Sequence, residues 1–279
     1  MTGHDIPSPS ASGGTAPLPP VDTTRPHPAR IYDWFLGGKD NYVVDEEMGK
    51  QLSLLEPRVA DMAVANRSFM RAATRWTAEQ GTRQFLDVGT GIPTEPNLHQ
   101  VAQSVAPESR VVYADNDPIV LRHAEALLRS TPEGVTEYVQ ADARKTESIL
   151  EAAGSVLDFD RPVTLSLIAL MHFISDEQGA YDIVRGLVEP LAPGSYLVLT
   201  QGTADFNPGK ADDALDLYRK SGITMALRHR DGVERFFEGL EPLGPGVVPL
   251  GEWAPGDAER VPTPDGRPLP GWVGIARKN

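Results

Sequence analysis

The stretch Phe85-Leu86-Asp87-Val88-Gly89-Thr90-Gly91-Ile92-Pro93-Thr94 has residue types and spacing suited to holding a ligand. An apolar run, read as a buried strand, passes into a Gly-x-Gly turn and then a helix, so ligand atoms can approach backbone that carries no Cβ. Alone, such a turn meets a geometric need as readily as it binds anything. Two more acids give it a chemical direction. Asp115, with Asn116 after it, ends the next predicted strand, where a doubly wound fold sets a carboxylate against ribose hydroxyls. Asp142 ends the third, beside Ala143. Taken separately, each acid also reads as a solvated strand end or a cap. Asp117, followed by Pro118, reads as a helix cap.

The ligand class follows from what is missing. The dinucleotide fingerprint fails, because Thr94 stands where its third glycine belongs. Pro93 removes a backbone donor, and Glu95 puts negative charge where a pyrophosphate would dock on a helix N-terminus. Asp87 adds another anion. This set suits a phosphate-free nucleotide that carries a cationic amine.

The elements that must position these groups are legible in the hydrophobic pattern. Strands are predicted over 85–89, 110–115, 135–142, 163–170 and 195–200. Helices lie between them: Leu98, Val101, Ala102 and Val105 share one face, and Ser175 with Gln178 forms a capping box before Tyr181, Val184 and Leu187. This alternation calls for an α/β, Rossmann-like, doubly wound and mostly parallel sheet covered on both faces. Segments 246–250 and 271–278 read as an antiparallel closing pair, and the Gly- and Pro-rich stretch 241–271 as mostly a surface loop. Residues 25–81 form a helical cap, with Met62, Ala65, Phe69, Ala72 and Trp76 on one buried face. The site-bearing domain runs over 82–279, and residues 1–24 form a disordered tail too poor in large aliphatics to offset its ordering entropy.

Composition sets limits on function. The 279 residues contain no cysteine and carry a formal net charge of -13, which excludes thiolate chemistry and disulfides and disfavours nucleic acid or an anionic membrane as partner. The longest apolar run, 163–174, is too short to span a bilayer, and the N-terminus lacks a signal-peptide pattern, so a soluble, cytoplasmic protein is expected. No histidine and acid spacing suits a metal.

Two further groups are candidates. The segment from Tyr32 to Tyr42 is rich in aromatics and contains Gly37-Gly38. Either it folds over the glycine turn as a lid, with Tyr32, Asn41 and Tyr42 contributing, or it packs against the sheet edge and caps a short helix. His172 follows the fourth strand and should open onto the same crevice, as a general base or as a structural histidine. His27 lies next to the tail and is set aside. Arg228-His229-Arg230 reads as a solvated helix start or as a contact for an acidic acceptor.

These residues resemble the class I S-adenosylmethionine-dependent methyltransferases. The glycine turn with Asp87 is similar to their first motif, and Asp115 and Asp142 to their second and third. The resemblance implies S-adenosylmethionine as cofactor, with Asp87, Gly89, Thr90 and Gly91 around the methionine part. It also implies Asp115 at the ribose hydroxyls, Asp142 and Ala143 at the adenine, Asn116 among the cofactor-binding residues, and a seven-stranded sheet ending in an antiparallel hairpin. Residues 28–42, Asn66-Arg67, 87–94 and 115–118 further resemble an actinobacterial family, once a domain of unknown function and now labelled S-adenosyl methyltransferase. That likeness spans about residues 26–278 and implies methyl transfer to an unidentified, small-molecule acceptor. The rival expectations are a non-catalytic nucleotide-binding regulator and a nicotinamide-dependent oxidoreductase.

Overall fold

The computed structural model describes residues 21–127, 129–253 and 266–279. The expected tail therefore lies outside the described residues up to residue 20, and so does the centre of the long loop, 254–265. Residues 21–24 differ from the expectation of disorder. Val21 packs against Ile92, Ile119 and Val120, and the carbonyl of Asp22 accepts a 3.0 Å hydrogen bond from the buried guanidinium of Arg30. A buried cation needs acceptors, and this segment supplies them.

Five parallel strands form one side of the sheet: β1 (Gln84–Val88), β2 (Arg110–Asp115), β3 (Val135–Gln140), β4 (Thr164–Leu167) and β5 (Tyr196–Gly202). Then come β6 (Glu241–Pro242), β7 (Val248–Leu250) and β8 (Leu269–Arg277), all antiparallel. The order is β3-β2-β1-β4-β5-β8-β6, with β7 also paired to β8. Eight strands thus fill the seven expected positions, because β6 and β7 take opposite ends of one edge of β8. Every residue of β1 and β4 is buried, as continuous apolar strands in a covered parallel sheet should be, whereas the edge strand β3 is half-exposed.

The chain runs outward from β1 through α4 (Leu98–Val105), β2 and α5 (Pro118–Leu127) to β3. Helix α6 (Thr146–Ala153) returns it to β4, on the other side of β1. The connections therefore diverge between the carboxyl ends of β1 and β4, where open α/β sheets hold ligands. Helices α1 (Pro28–Phe35), α2 (Val43–Leu55) and α3 (Val59–Glu79) lie over this end and one face. Ala65 and Phe69 of α3 are buried against Tyr196, Val198 and Val273, with Met62, Ala72 and Trp76 packed beside them, so the helical cap shares a core with the sheet.

Two boundaries differ from the pattern. The fourth strand stops at Leu167, because Ala169 adopts a left-handed backbone with φ of 54° and its amide donates to Thr200 Oγ1 at 2.8 Å. Helix α7 (Ala180–Val188) begins later than the capping box implied. Gln178 Oε1 does accept from Ser175 N at 2.9 Å, but Gly179, with φ of 82°, separates that turn from the helix.

Arg228 is buried and clamps the segment after β4. Its Nη1 donates to Met171 O at 2.9 Å and Gln201 Oε1 at 3.1 Å, and its Nη2 to Ile174 O at 2.8 Å and Asp176 Oδ1 at 2.7 Å. The expectation of a solvated 228–230 cluster therefore fails for Arg228 and holds for His229 and Arg230, exposed at the start of α9 (Arg230–Glu234). Replacing Arg228 with Met strands two buried carbonyls, so urea denaturation should show a loss of about 3 kcal/mol, against less than about 0.5 kcal/mol for Arg230→Met.

Candidate functional site

A cavity of about 500 Å³ opens at the carboxyl ends of β1, β2 and β4, within the range of small-molecule and cofactor sites. Asp87, Gly89, Thr90, Gly91, Asp115, Asn116, Asp142, Ala143 and Tyr32 all line it. Three strand ends and α1 are thus brought together from positions up to 111 residues apart (32 to 143).

The glycine turn is a requirement of this geometry. Gly89 and Gly91 have φ of 76° and 66°, and a Cβ on Gly89 would stand 2.7 Å from Leu170 Cδ1. The turn is braced from the neighbouring strand, since Gly89 N donates to Ala114 O at 2.7 Å and Gly91 N to Asp115 Oδ2 at 2.8 Å. The other oxygen of Asp115 accepts from Asp117 N at 3.0 Å. Asp117 in turn caps α5 through Ile119 N, as expected of it.

Asp87 and Asp115 are each only 7% exposed. Burial pushes both carboxyl groups above the ordinary carboxylate range. For Asp87 the hydrogen bond from Thr90 and the charge of Arg67 oppose that rise, and the charge of Asp115 adds to it. The Asp87 carboxylate accepts the Thr90 hydroxyl. Among the described residues neither acid forms an ion pair. Asp142 is different: Arg144 hydrogen-bonds to it, at 2.6 Å from Nη2 to Oδ2, and holds its carboxyl below the usual range.

Several lining residues carried no assigned role in the sequence reading. His27 Nδ1 lies 3.0 Å from Asp117 Oδ2, and Arg30 Nε lies 3.7 Å from the same oxygen. Asp45, which does not itself line the cavity, is fully buried, accepts from His27 N at 2.8 Å and Tyr42 N at 2.9 Å, and lies 3.6 Å from Arg30 Nη1. Arg67 donates to Thr94 O at 2.6 Å, while its buried Nε has no partner among the described residues. The Asn66-Arg67 pair was the available signal for Arg67. For His27 the tail-like composition beside it hid the role.

The expected lid reduces to one residue. Tyr32 donates to Ala63 O at 3.0 Å and accepts from Asn66 Nδ2 at 3.0 Å, forming part of the cavity wall. Asn41 and Tyr42 do not line it. Asn41 Nδ2 bonds Asp33 Oδ2 at 2.8 Å and Gly38 O at 3.2 Å, in a turn wound about the Asp33 carboxylate. Tyr42 precedes α2, with its ring under the Arg30 guanidinium.

His172 also departs from expectation. It sits in a 3-10 turn, Met171–Phe173, and lines a neighbouring, smaller cavity. Gly202 N donates to its Nδ1 at 3.4 Å. Burial, followed by the nearby Arg228 charge, lowers its pKa to about 4. A backbone N–H can only donate, so the neutral ring carries its proton on Nε2 and offers a donor there instead of a basic lone pair. Among the described residues, no group of three His, Cys, Asp or Glu is placed to hold a metal ion. No helix among them is long and apolar enough to cross a membrane.

A family model described as S-adenosyl methyltransferase matches residues 15–279. A solved DUF574 family protein from Streptomyces avermitilis is 48% identical, with a TM-score of 0.88, over 92% of this chain and 99% of its own. A candidate methyltransferase from Thermobifida fusca is 35% identical, with a TM-score of 0.82, over 92% of this chain and 97% of its own. A search of curated proteins gives no match.

The lowered pKa of His172 has a measurable consequence. Its ring resonances should remain those of a neutral imidazole from pH 8 to pH 5 and move only near pH 4. Because the folded value lies below the ordinary 6.5, the unfolded chain binds the extra proton first. Folding stability contributed by this group is therefore present above pH 6.5 and lost as pH falls towards 4. An NMR titration midpoint above 6 would reject the assignment.

Proposed function

The chain belongs to the S-adenosyl methyltransferase family and is an S-adenosylmethionine-dependent methyltransferase; from that premise we propose that its acceptor is a small molecule and that the cavity at the glycine turn holds the cofactor. The observation that carries this reading is the pair of buried acids, Asp87 and Asp115, beside backbone that a Cβ would obstruct. Buried carboxylates without ion pairs favour a ligand that brings positive charge and disfavour one that brings phosphate. The donor set fits a cationic, phosphate-free nucleoside and fits a nicotinamide dinucleotide poorly.

On this reading Asp115, already holding Gly91 N and Asp117 N, keeps lone pairs for ribose hydroxyls. Asn116, Asp142 and Ala143 border the adenine. Gly89, Thr90, Gly91 and Asp87 surround the amino-acid part, and the unpartnered Nε of Arg67 is suited to its carboxylate. Bound S-adenosylmethionine supplies an electrophilic methyl on a sulfonium, so the protein's main task is to align the acceptor with it and exclude water. Tyr32 and Asn66, locked to each other and to Ala63 O, form a rigid wall for that alignment. The net charge of -13 supports a small acceptor over a nucleic acid.

Isothermal titration checks these roles. Asp115→Asn should weaken S-adenosylmethionine binding at least tenfold while its amide oxygen keeps one backbone bond, because hydrogen bonds to a charged acceptor are lost. Affinity for the cation should also fall as pH drops through the raised range of Asp87 and Asp115, since binding favours their charged forms. Uncharged adenosine should lose less. NAD binding in place of S-adenosylmethionine, or an unchanged dissociation constant for the Asp115 variant, would overturn the reading.

A further inference from the structure

Beside the cofactor cavity lies a second one, of about 150 Å³, between α1, α3, α8 (Pro208–Lys220) and the end of β5. The two share Pro28, Tyr32, Asn66, Ala169 and Phe173 as lining residues, so they meet at the Tyr32–Asn66 wall. Their chemistry is opposite. The first is lined by charged side chains, among them the buried Asp87 and Asp115 and the arginines Arg30 and Arg67, whereas the second is walled mainly by Ile31, Phe35, Met62, Tyr218, Met225 and Leu227.

The polar groups at its border are few. Glu56 is held by Arg58 Nε at 2.9 Å and Asn207 Nδ2 at 2.8 Å, and Lys210 is exposed at the rim. His172 is the exception. It lines the cavity, its Nδ1 is occupied by Gly202 N, and among the described residues nothing accepts from its Nε2.

We propose that this second cavity receives the methyl acceptor, and that the acceptor is an uncharged molecule with an apolar group about the size of one aromatic ring and an atom able to accept a hydrogen bond from Nε2 of His172. The inference rests on the small-molecule reading above and adds the class of molecule. Size is the first argument, since an apolar cavity of about 150 Å³ accommodates a benzene-sized group. Charge is the second. A cationic group would lose its hydration here and find Glu56 already committed to Arg58 and Asn207, and an anionic one would meet only Lys210, whose exposed rim position leaves its charge screened by solvent. Position is the third, because the cavity lies at the carboxyl ends of β4 and β5 and shares five lining residues with the cofactor cavity. His172 acts here as a positioning donor.

The test uses the full chain saturated with S-adenosylhomocysteine, titrated with phenol, benzoate and benzylamine and followed by ligand-observed NMR. Phenol should bind without displacing S-adenosylhomocysteine, and benzoate and benzylamine should bind at least tenfold more weakly. Ala211→Phe, which projects a ring into the cavity from α8, should abolish phenol binding and leave S-adenosylhomocysteine affinity within twofold. Ala214→Phe serves as a second blocking variant if the first unfolds. His172→Phe should weaken phenol several-fold while leaving toluene binding unchanged. Benzoate or benzylamine binding as well as phenol, phenol binding undiminished by both blocking variants, or competition between phenol and S-adenosylhomocysteine would overturn the proposal. Failure of phenol while S-adenosylhomocysteine still binds sinks this inference alone. Failure of S-adenosylhomocysteine itself sinks the cofactor assignment.

Discussion

The carboxylate of Asp115 is the joint on which the site depends. It sits at the end of β2, buried, and accepts from the amide of Gly91 in one loop and of Asp117 in the next. One side chain therefore fixes the relative position of the β1 and β2 turns, and with them both glycines of the cradle. Keeping a carboxylate buried for this purpose is costly, and its pKa is raised accordingly. Asp87 bears the same cost one strand away. Buried as they are, the two acids act on the cavity with little of the solvent screening that weakens surface charges.

The remaining elements hold that joint in place. Arg30 and His27 approach Asp117 from the N-terminal segment, and Asp45 collects His27, Tyr42 and Arg30, so the entry to α1 and the start of α2 close over the β2 turn. On the other side, Arg228 ties the backbone after β4 to β5. The left-handed Ala169 lies between these two anchors and lines both cavities. A non-glycine residue in that region stores backbone strain, which surrounding structure must over-determine. Thr200, bonded to its amide, does part of that work.

Legibility in the sequence followed the range of the interactions. Buried strands and the α3 stripe depend on local periodicity, and the pattern revealed them to within a few residues. The glycine turn and the acids at three strand ends were also visible, because topology fixes where a strand end must lie. Pairings across long separations were hidden. Nothing in the composition around His27 announces Asp117, 90 positions away, and the tail-like sequence beside it pointed to disorder. Asn41 and Tyr42 looked like lid residues because aromatics and glycines cluster there, yet the local demand of the Asp33 carboxylate for donors shapes that turn. His172 was placed near the right strand end, but its chemistry depends on Gly202 and Arg228, which no motif includes.

The contrast between the two cavities follows from electrostatics. In the proposed complex the sulfonium and the carboxylates of Asp87 and Asp115 lie on one side of the shared wall, and the pocket on the other side is mainly apolar. An acidic acceptor would face the two carboxylates across that wall, and a cationic one would face the sulfonium. An uncharged acceptor meets neither penalty. The apolar walls beyond Tyr32 and Asn66 suit such an acceptor.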